Sequence, residues 1–255
     1  MVSIKPHKKV QNALLIGAGI IFLLLIWTLI AAIVKSPVVS YPHEAFIRLF
    51  TLLGELTTYQ HVFNSLLRLI SALFFAVIIG FLLGALGGSF ESFHTFLKPV
   101  MISMRTLPTA SIILIVVSLT KIKFAPIIVV ALIALPIAYE AMVAGLHNVD
   151  DQIRSALKIE GDKNFYAFRK VLLPSTWPYL ALGIVQMVGL GMKVEIMSEV
   201  LAGTTGNFGL GFAIYQAYAF EVQYVDIYAY SILAISIIAG AEILLNYLKK
   251  RLQVR

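Results

Sequence analysis

A chain of 255 residues that is 60% hydrophobic and 13% charged is not a soluble globular domain, in which about 25% of residues carry charge. Lipid contact replaces the missing polar surface, so the class is an all-α, polytopic membrane protein. The absence of cysteine excludes a disulfide framework and a thiolate metal site. The net charge of +7 suits either nucleic acid or the cytoplasmic face of a membrane protein, and the positions of the charges decide between them.

Residues 1–12 are basic, with Lys5, Lys8 and Lys9, and read as a cytoplasmic N-terminus. Residues 13–34 are uncharged and long enough for a first transmembrane helix, which needs about 20 apolar residues. Residues 35–61 are mixed and read as an external loop, with a short interfacial helix near 44–53 and solvated histidines at His43 and His61. The second span is 64–88. Its Gly80, Gly84 and Gly88 share one helix face, a spacing that lets backbones approach closely in lipid. Arg68 is expected to snorkel near the outer end of this span. Residues 89–98 read as a short loop. The third span, about 100–119, is interrupted around Arg105 and Pro108, because proline removes a helix hydrogen bond and disfavours helix at the preceding residue.

A turn at 120–124 leads to the fourth span, 125–146, which contains Pro136 and Glu140. A long polar stretch, 148–173, follows. The fifth span, 174–202, holds Lys193, Glu195 and Glu199. Residues 203–224 form an external stretch without Lys or Arg, the sixth span is 225–247, and 249–255 is a basic tail. With the N-terminus inside, the cytoplasmic segments carry Lys5, Lys8, Lys9, Lys98, Arg154, Lys158, Lys163, Arg169, Lys170, Lys249, Lys250, Arg251 and Arg255, thirteen cations. The external segments carry Lys35, Arg48, Lys121 and Lys123, four. That asymmetry predicts about six transmembrane helices with both termini and the 148–173 loop in the cytoplasm. It also explains the basic charge with no nucleic acid as partner.

Inside the polar loop, Ile153, Leu157, Ile159, Phe165, Phe168 and Val171 recur at roughly helical spacing, and Gly161-Asp162 breaks the run. Two short helices joined at Gly161 are expected, a compact knob beneath the membrane. Ser155-Ala156-Leu157, Gly161, Val171 and Leu173-Pro174 keep the intervals of the cytoplasmic signature of binding-protein-dependent ABC importer permeases. In that signature Ser155 stands where a Glu is usual and Leu157 where a second Ala is usual. Asn64-Ser65-Leu66-Leu67-Arg68, Met104-Arg105-Thr106-Leu107-Pro108 and Ser198-Glu199-Val200 with Gly209-Leu210-Gly211 also resemble this family, especially its nitrate/sulfonate/taurine branch. The resemblance covers about 60–248.

The resemblance implies a type I importer fold in the bacterial or archaeal plasma membrane, with a permease core over 60–248. It implies a homodimer of permeases and two copies of an ATPase docked at Ser155, Ala156, Leu157, Gly161, Asp162, Phe165, Val171, Leu173 and Pro174. It also implies a periplasmic or surface-anchored solute-binding protein outside. The chain has no phosphate loop of the G-x-x-x-x-G-K-[ST] form, so ATP would be bound by the partner, and the chain needs no cofactor and is not an enzyme. No catalytic or metal-ligand motif is evident.

Arg105, Lys193, Glu195 and Glu199 are costly at membrane depth unless paired or hydrated. One reading makes them pathway residues that favour a small anionic solute such as nitrate, bicarbonate, a sulfonate or a vitamin precursor. The other makes them structural ion pairs across helices. A self-sufficient secondary transporter or channel is the alternative function, although it would be expected to show internal repeats.

Overall fold

The computed structural model describes residues 6–120, 123–150, 152–153, 168–203 and 208–253. Among these residues the elements are α1 Pro6–Val34, α2 Pro42–Leu52, α3 Leu56–Ser89, α4 Glu91–Thr106, α5 Thr109–Leu119, α6 Ala125–His147, α7 Leu173–Ala202, α8 Leu210–Gln216 and α9 Tyr224–Gln253. Two π-helical turns, Phe168–Leu172 and Ala217–Glu221, abut α7 and α8. No strand occurs among the described residues, as lipid requires of a chain that satisfies its backbone hydrogen bonds within each segment.

Among the described residues five helices are long and apolar enough to cross a bilayer: Leu14–Val34, Leu56–Ser89, Ala125–His147, Arg169–Ala202 and Tyr224–Tyr247. The pair α4–α5, bent by 96° at its break, passes the same test when taken together, which brings the count to between five and six. The bend falls at Leu107, which is extended (ψ 134°), and at Pro108, which opens α5. This is the geometry that proline imposes on itself and on the residue before it.

The core is built around α6, which packs between α3 and α7. Of the most apolar window of α6, 44% is buried; for α1 the figure is 6%. The packing depends on small residues. A Cβ on Gly84 would lie 2.7 Å from Met142 Cβ, and one on Gly88 2.6 Å from Leu146 Cδ1. On the other side of α6, a Cβ on Gly145 would come 2.7 Å from Thr176, and one on Gly183 2.6 Å from Ala141. The glycine face predicted in the second span is therefore a seam within the chain. Close backbone approach substitutes here for the hydrophobic drive that lipid cannot supply.

Three expectations are corrected. Residues 89–98 are not a loop: only Phe90 is extended (φ −128°, ψ 109°), and α4 resumes at Glu91. A single extended residue suffices to turn the chain, and Pro99 lies inside α4. His61 is not a solvated loop residue, because α3 begins at Leu56 and His61 is buried. Arg68 does not snorkel; its side chain is 12% exposed and pairs with Glu199. The interfacial helix expected near 44–53 is present as α2.

Helix α1 is held near its C-terminal end. Trp27 Nε1 donates to the Ser40 carbonyl (2.9 Å) and its ring stacks on Tyr228 at 5.5 Å. Its remaining large side chains from Leu14 to Val34 are largely exposed, as suits a helix facing lipid.

Candidate functional site

Three polar constellations interrupt the apolar bundle. The first ties α3, α7 and α8 together. Arg68 donates to Glu199 Oε1, and the Ser65 hydroxyl donates to the same carboxylate at 2.8 and 2.9 Å. Three successive backbone N–H groups at the start of α8 are each claimed by a side chain. Gly209 donates to His61 Nδ1 (3.0 Å), Leu210 to Ser65 Oγ (2.8 Å) and Gly211 to Glu199 Oε2 (2.8 Å). A helix start leaves these donors unpaired by its own geometry, so the cluster seals α8 onto the bundle. Glycine is required at both flanking positions: a Cβ on Gly209 would meet the Glu199 carboxylate, and one on Gly211 the Ile196 carbonyl. Glu195, one turn before Glu199, is fully buried, and neither of its carboxylate oxygens has a hydrogen-bond partner; nor does the Ser198 hydroxyl.

The second constellation lies in the other half of α6. Arg105, at the end of α4, pairs with Glu140 of α6. Their side chains are 50% and 45% exposed. They border a cavity of about 180 Å³ whose wall includes Tyr179 and Gln186 of α7. Lys193 is exposed seven residues beyond Gln186, which itself lies seven beyond Tyr179. Two helical turns bring residues back to one face, so α7 presents a stripe of Tyr179, Gln186 and Lys193 away from the protomer core.

The third surrounds a cavity of about 310 Å³ between α2, the first turns of α3 and α9, and α8. Here Arg48 makes a two-point contact with Asp226 (Nε to Oδ1 2.6 Å, Nη2 to Oδ2 2.8 Å) and stands 3.6 Å from Glu55. Its hydrogen bonds to Asp226 push the guanidinium pKa above its ordinary value, against the opposing effect of burial.

The four candidate pathway residues thus divide. Arg105 and Lys193 are exposed, whereas Glu195 and Glu199 are enclosed within the protomer. Sequence reasoning missed the roles of His61, Ser65 and Arg48. Ser65 and Arg68 do lie in the Asn64–Arg68 stretch whose resemblance was noted, three residues apart, the spacing that puts two side chains on one helix face.

Of the nine residues expected to dock an ATPase, Ser155, Ala156, Leu157, Gly161, Asp162 and Phe165 lie outside the described residues. Val171 sits in the π turn before α7, and Leu173 and Pro174 form the first turn of α7. Neighbouring Leu172 packs on the cluster of Met142, Leu146 and Leu180, so this end of the loop is seated directly on α6. Among the described residues no group of three or more His, Cys, Asp or Glu could hold a metal.

A bundle of helices long and apolar enough to cross a bilayer defines a multi-pass membrane protein. Residues 77–254 match the family model for the binding-protein-dependent transport system inner membrane component, and the chain belongs to that family: it is a permease subunit of an ABC importer. It is 29% identical over 252 residues to the taurine transport system permease protein TauC of Escherichia coli, covering 95% of this chain and 89% of that one. It is 30% identical over 156 residues to the nitrate import permease protein NrtB of Leptolyngbya laminosa, covering 60% and 54%. In fold it resembles the inward-facing MetNI methionine ABC transporter, with TM-score 0.66 at 16% identity over 77% of this chain and 96% of that one. It also resembles a bacterial ABC transporter that imports the acidic polysaccharide alginate, with TM-score 0.66 at 14% identity over 97% and 99%.

Proposed function

We propose that this chain forms half of the translocation pathway of an ATP-driven importer for a small anionic solute in a bacterial inner membrane. Two copies pair, an external solute-binding protein delivers the solute, and two ATPase subunits dock on the cytoplasmic loop 148–173. In this reading the termini are cytoplasmic and the end carrying α2 and α8 faces outward. ATP-driven closure of the ATPases pulls on the loop, and the spans rock between inward- and outward-open states.

One observation carries the pathway assignment. The Arg105–Glu140 pair joins α4 to the span α6 and is half exposed, and lipid contact with a charged group at a span's centre costs about 2.5 kcal/mol or more. Such a pair must face water or a second subunit. Lys193 and Gln186 on the neighbouring helix stand exposed as well, so α4, α6 and α7 together present a polar wall. The relatives named for taurine and nitrate support an anionic group on the solute.

The test is uptake into proteoliposomes by the complex with its ATPase and binding protein. Lys193→Met is expected to abolish uptake while the ATPase still copurifies; unchanged uptake and unchanged solute preference would sink the pathway assignment. Gly161→Asp is expected to uncouple ATP hydrolysis from uptake, and hydrolysis still coupled to transport would refute loop docking. Uptake by the chain alone, without ATPase, would instead establish the self-sufficient carrier.

A further inference from the structure

The cavity of about 310 Å³ at the α2 end has the size of a small-molecule pocket, of which about 300 Å³ is the lower bound, and its charge is not what an anion needs. Its charged lining residues are Arg48, Glu55 and Asp226. His61 also lines it but is held neutral: Nδ1 accepts from Gly209 N–H, so the ring proton sits on Nε2. Arg48 is committed to Asp226 through two hydrogen bonds and reaches Glu55 only at 3.6 Å. Its cation is therefore spent on one carboxylate, and the second, Glu55, leaves the cavity with a net charge of −1. The Glu55 side chain is 42% exposed and reachable.

Aromatic rings make up a further part of the lining, beside Leu52, Thr57, Ala213, Gln216 and Ala217. Phe208, Phe212 and Tyr230 line the cavity, and their rings stand 5.4, 6.1 and 6.1 Å from the His61 ring. Ring faces attract cations within about 6 Å. Carboxylate excess and clustered aromatic rings together select an ammonium group and disfavour a bare anion.

We propose that this cavity binds the cationic head, a primary or methylated ammonium, of a small solute. That the solute is in transit rests on the importer reading above; the charge argument does not. Glu55 supplies the counter-charge, the three aromatic rings supply the wall, and the Arg48–Asp226 pair fixes α2 to α9 so that the cavity keeps its shape. Combined with an anionic group met later at Lys193, the cavity narrows the small anionic solute of that reading to one that also carries an ammonium group, a zwitterion.

The chain has no cysteine, so a single introduced thiol reports the cavity directly. Thr57 is exposed and lines it; Gln60 is exposed on the same helix and does not. In the full complex in nanodiscs, Thr57→Cys and Gln60→Cys are each labelled with a cationic reagent, trimethylammonium-ethyl methanethiosulfonate, and an anionic one, sulfonatoethyl methanethiosulfonate. The cationic-to-anionic rate ratio at Thr57→Cys, normalised to Gln60→Cys, is expected to be roughly three to ten, the range one nearby charge produces in a partly hydrated site. Adding Glu55→Gln should return it to about one, because the counter-charge is gone. A normalised ratio at or below one, or one unmoved by Glu55→Gln, overturns the proposal.

As a second measurement, taurine and tetramethylammonium should protect Thr57→Cys from a neutral methanethiosulfonate, and hydroxyethanesulfonate should not. Equal protection by hydroxyethanesulfonate, or none by either ammonium-bearing probe, also overturns it. ATP-driven uptake by the complex is assayed in parallel. Its loss with the labelling pattern intact would count against the importer reading alone, and a failed pattern with uptake intact would count against the cavity assignment alone.

Discussion

Two of the arginine–glutamate pairs among the described residues, Arg68–Glu199 and Arg105–Glu140, join long helices of this bundle, and their surroundings give them different work. Arg68–Glu199 is 12% and 3% exposed, and its carboxylate also takes Ser65 and the Gly211 N–H. Arg105–Glu140 is 50% and 45% exposed, with no further hydrogen bond to either side chain among those described. An enclosed pair whose lone pairs are all used is structural, because removing one partner strands a buried charge. A half-exposed pair in water contributes little to stability, so its presence at membrane depth calls for a functional reason.

The largest expected effect is on the enclosed pair. Arg68→Met leaves Glu199 uncompensated and should cost about 3–5 kcal/mol, read as loss of folded, detergent-stable protein in a thermal melt. A melt unchanged by this substitution would show that the pair is not the joint described. Next, Gly84→Val forces a side chain against Met142 and the Tyr139 carbonyl, and overpacking of this kind costs about 1–3 kcal/mol; Gly17→Val, where nothing lies within 4 Å, should leave the melt unchanged.

Arg105→Met should shift stability by less than about 1 kcal/mol yet strongly reduce uptake by the complex. Equal loss in both readouts would erase the contrast between the pairs. The smallest effect belongs to Arg48→Lys, which keeps the charge but loses the two-point contact with Asp226. Because Asp226 raises the Arg48 pKa, the stabilisation is fully present below the ordinary guanidinium value and fades only above it. The difference between wild type and Arg48→Lys should therefore be flat across neutral pH, and a change through neutrality would assign the effect to another group.

Much of the architecture was legible in the chain. Long, mostly apolar runs gave the spans, the four-residue spacing of Gly80, Gly84 and Gly88 gave the seam face, and Pro108 gave the break. Pairing between spans was not legible. Arg68 and Glu199 are 131 residues apart in sequence, and periodicity says which face a residue occupies but not what opposes it. His61 was read as loop because the first turns of α3 mix Thr57, Thr58, Gln60 and His61 with apolar residues. Residues 89–98 were misjudged because charge and histidine content suggest a loop, whereas a helix needs only one non-helical residue to start afresh. The resemblance of Ser198–Val200 with Gly209–Gly211 located the joint in sequence, but only the structure supplied its partners on α3.

The glycine seams also have a mechanical consequence. With Gly84 against Met142 and Gly183 against Ala141, helices α3, α6 and α7 meet like meshed gears. Sliding one by a single turn, about 5.4 Å, would drive larger side chains into spaces that hold no Cβ. These three helices should therefore travel as one block, and any hinge used during a transport cycle belongs elsewhere, with the Leu107–Pro108 break as the natural place. Cysteine pairs across the α3–α6 seam should crosslink equally with and without ATP, while pairs spanning that break should not.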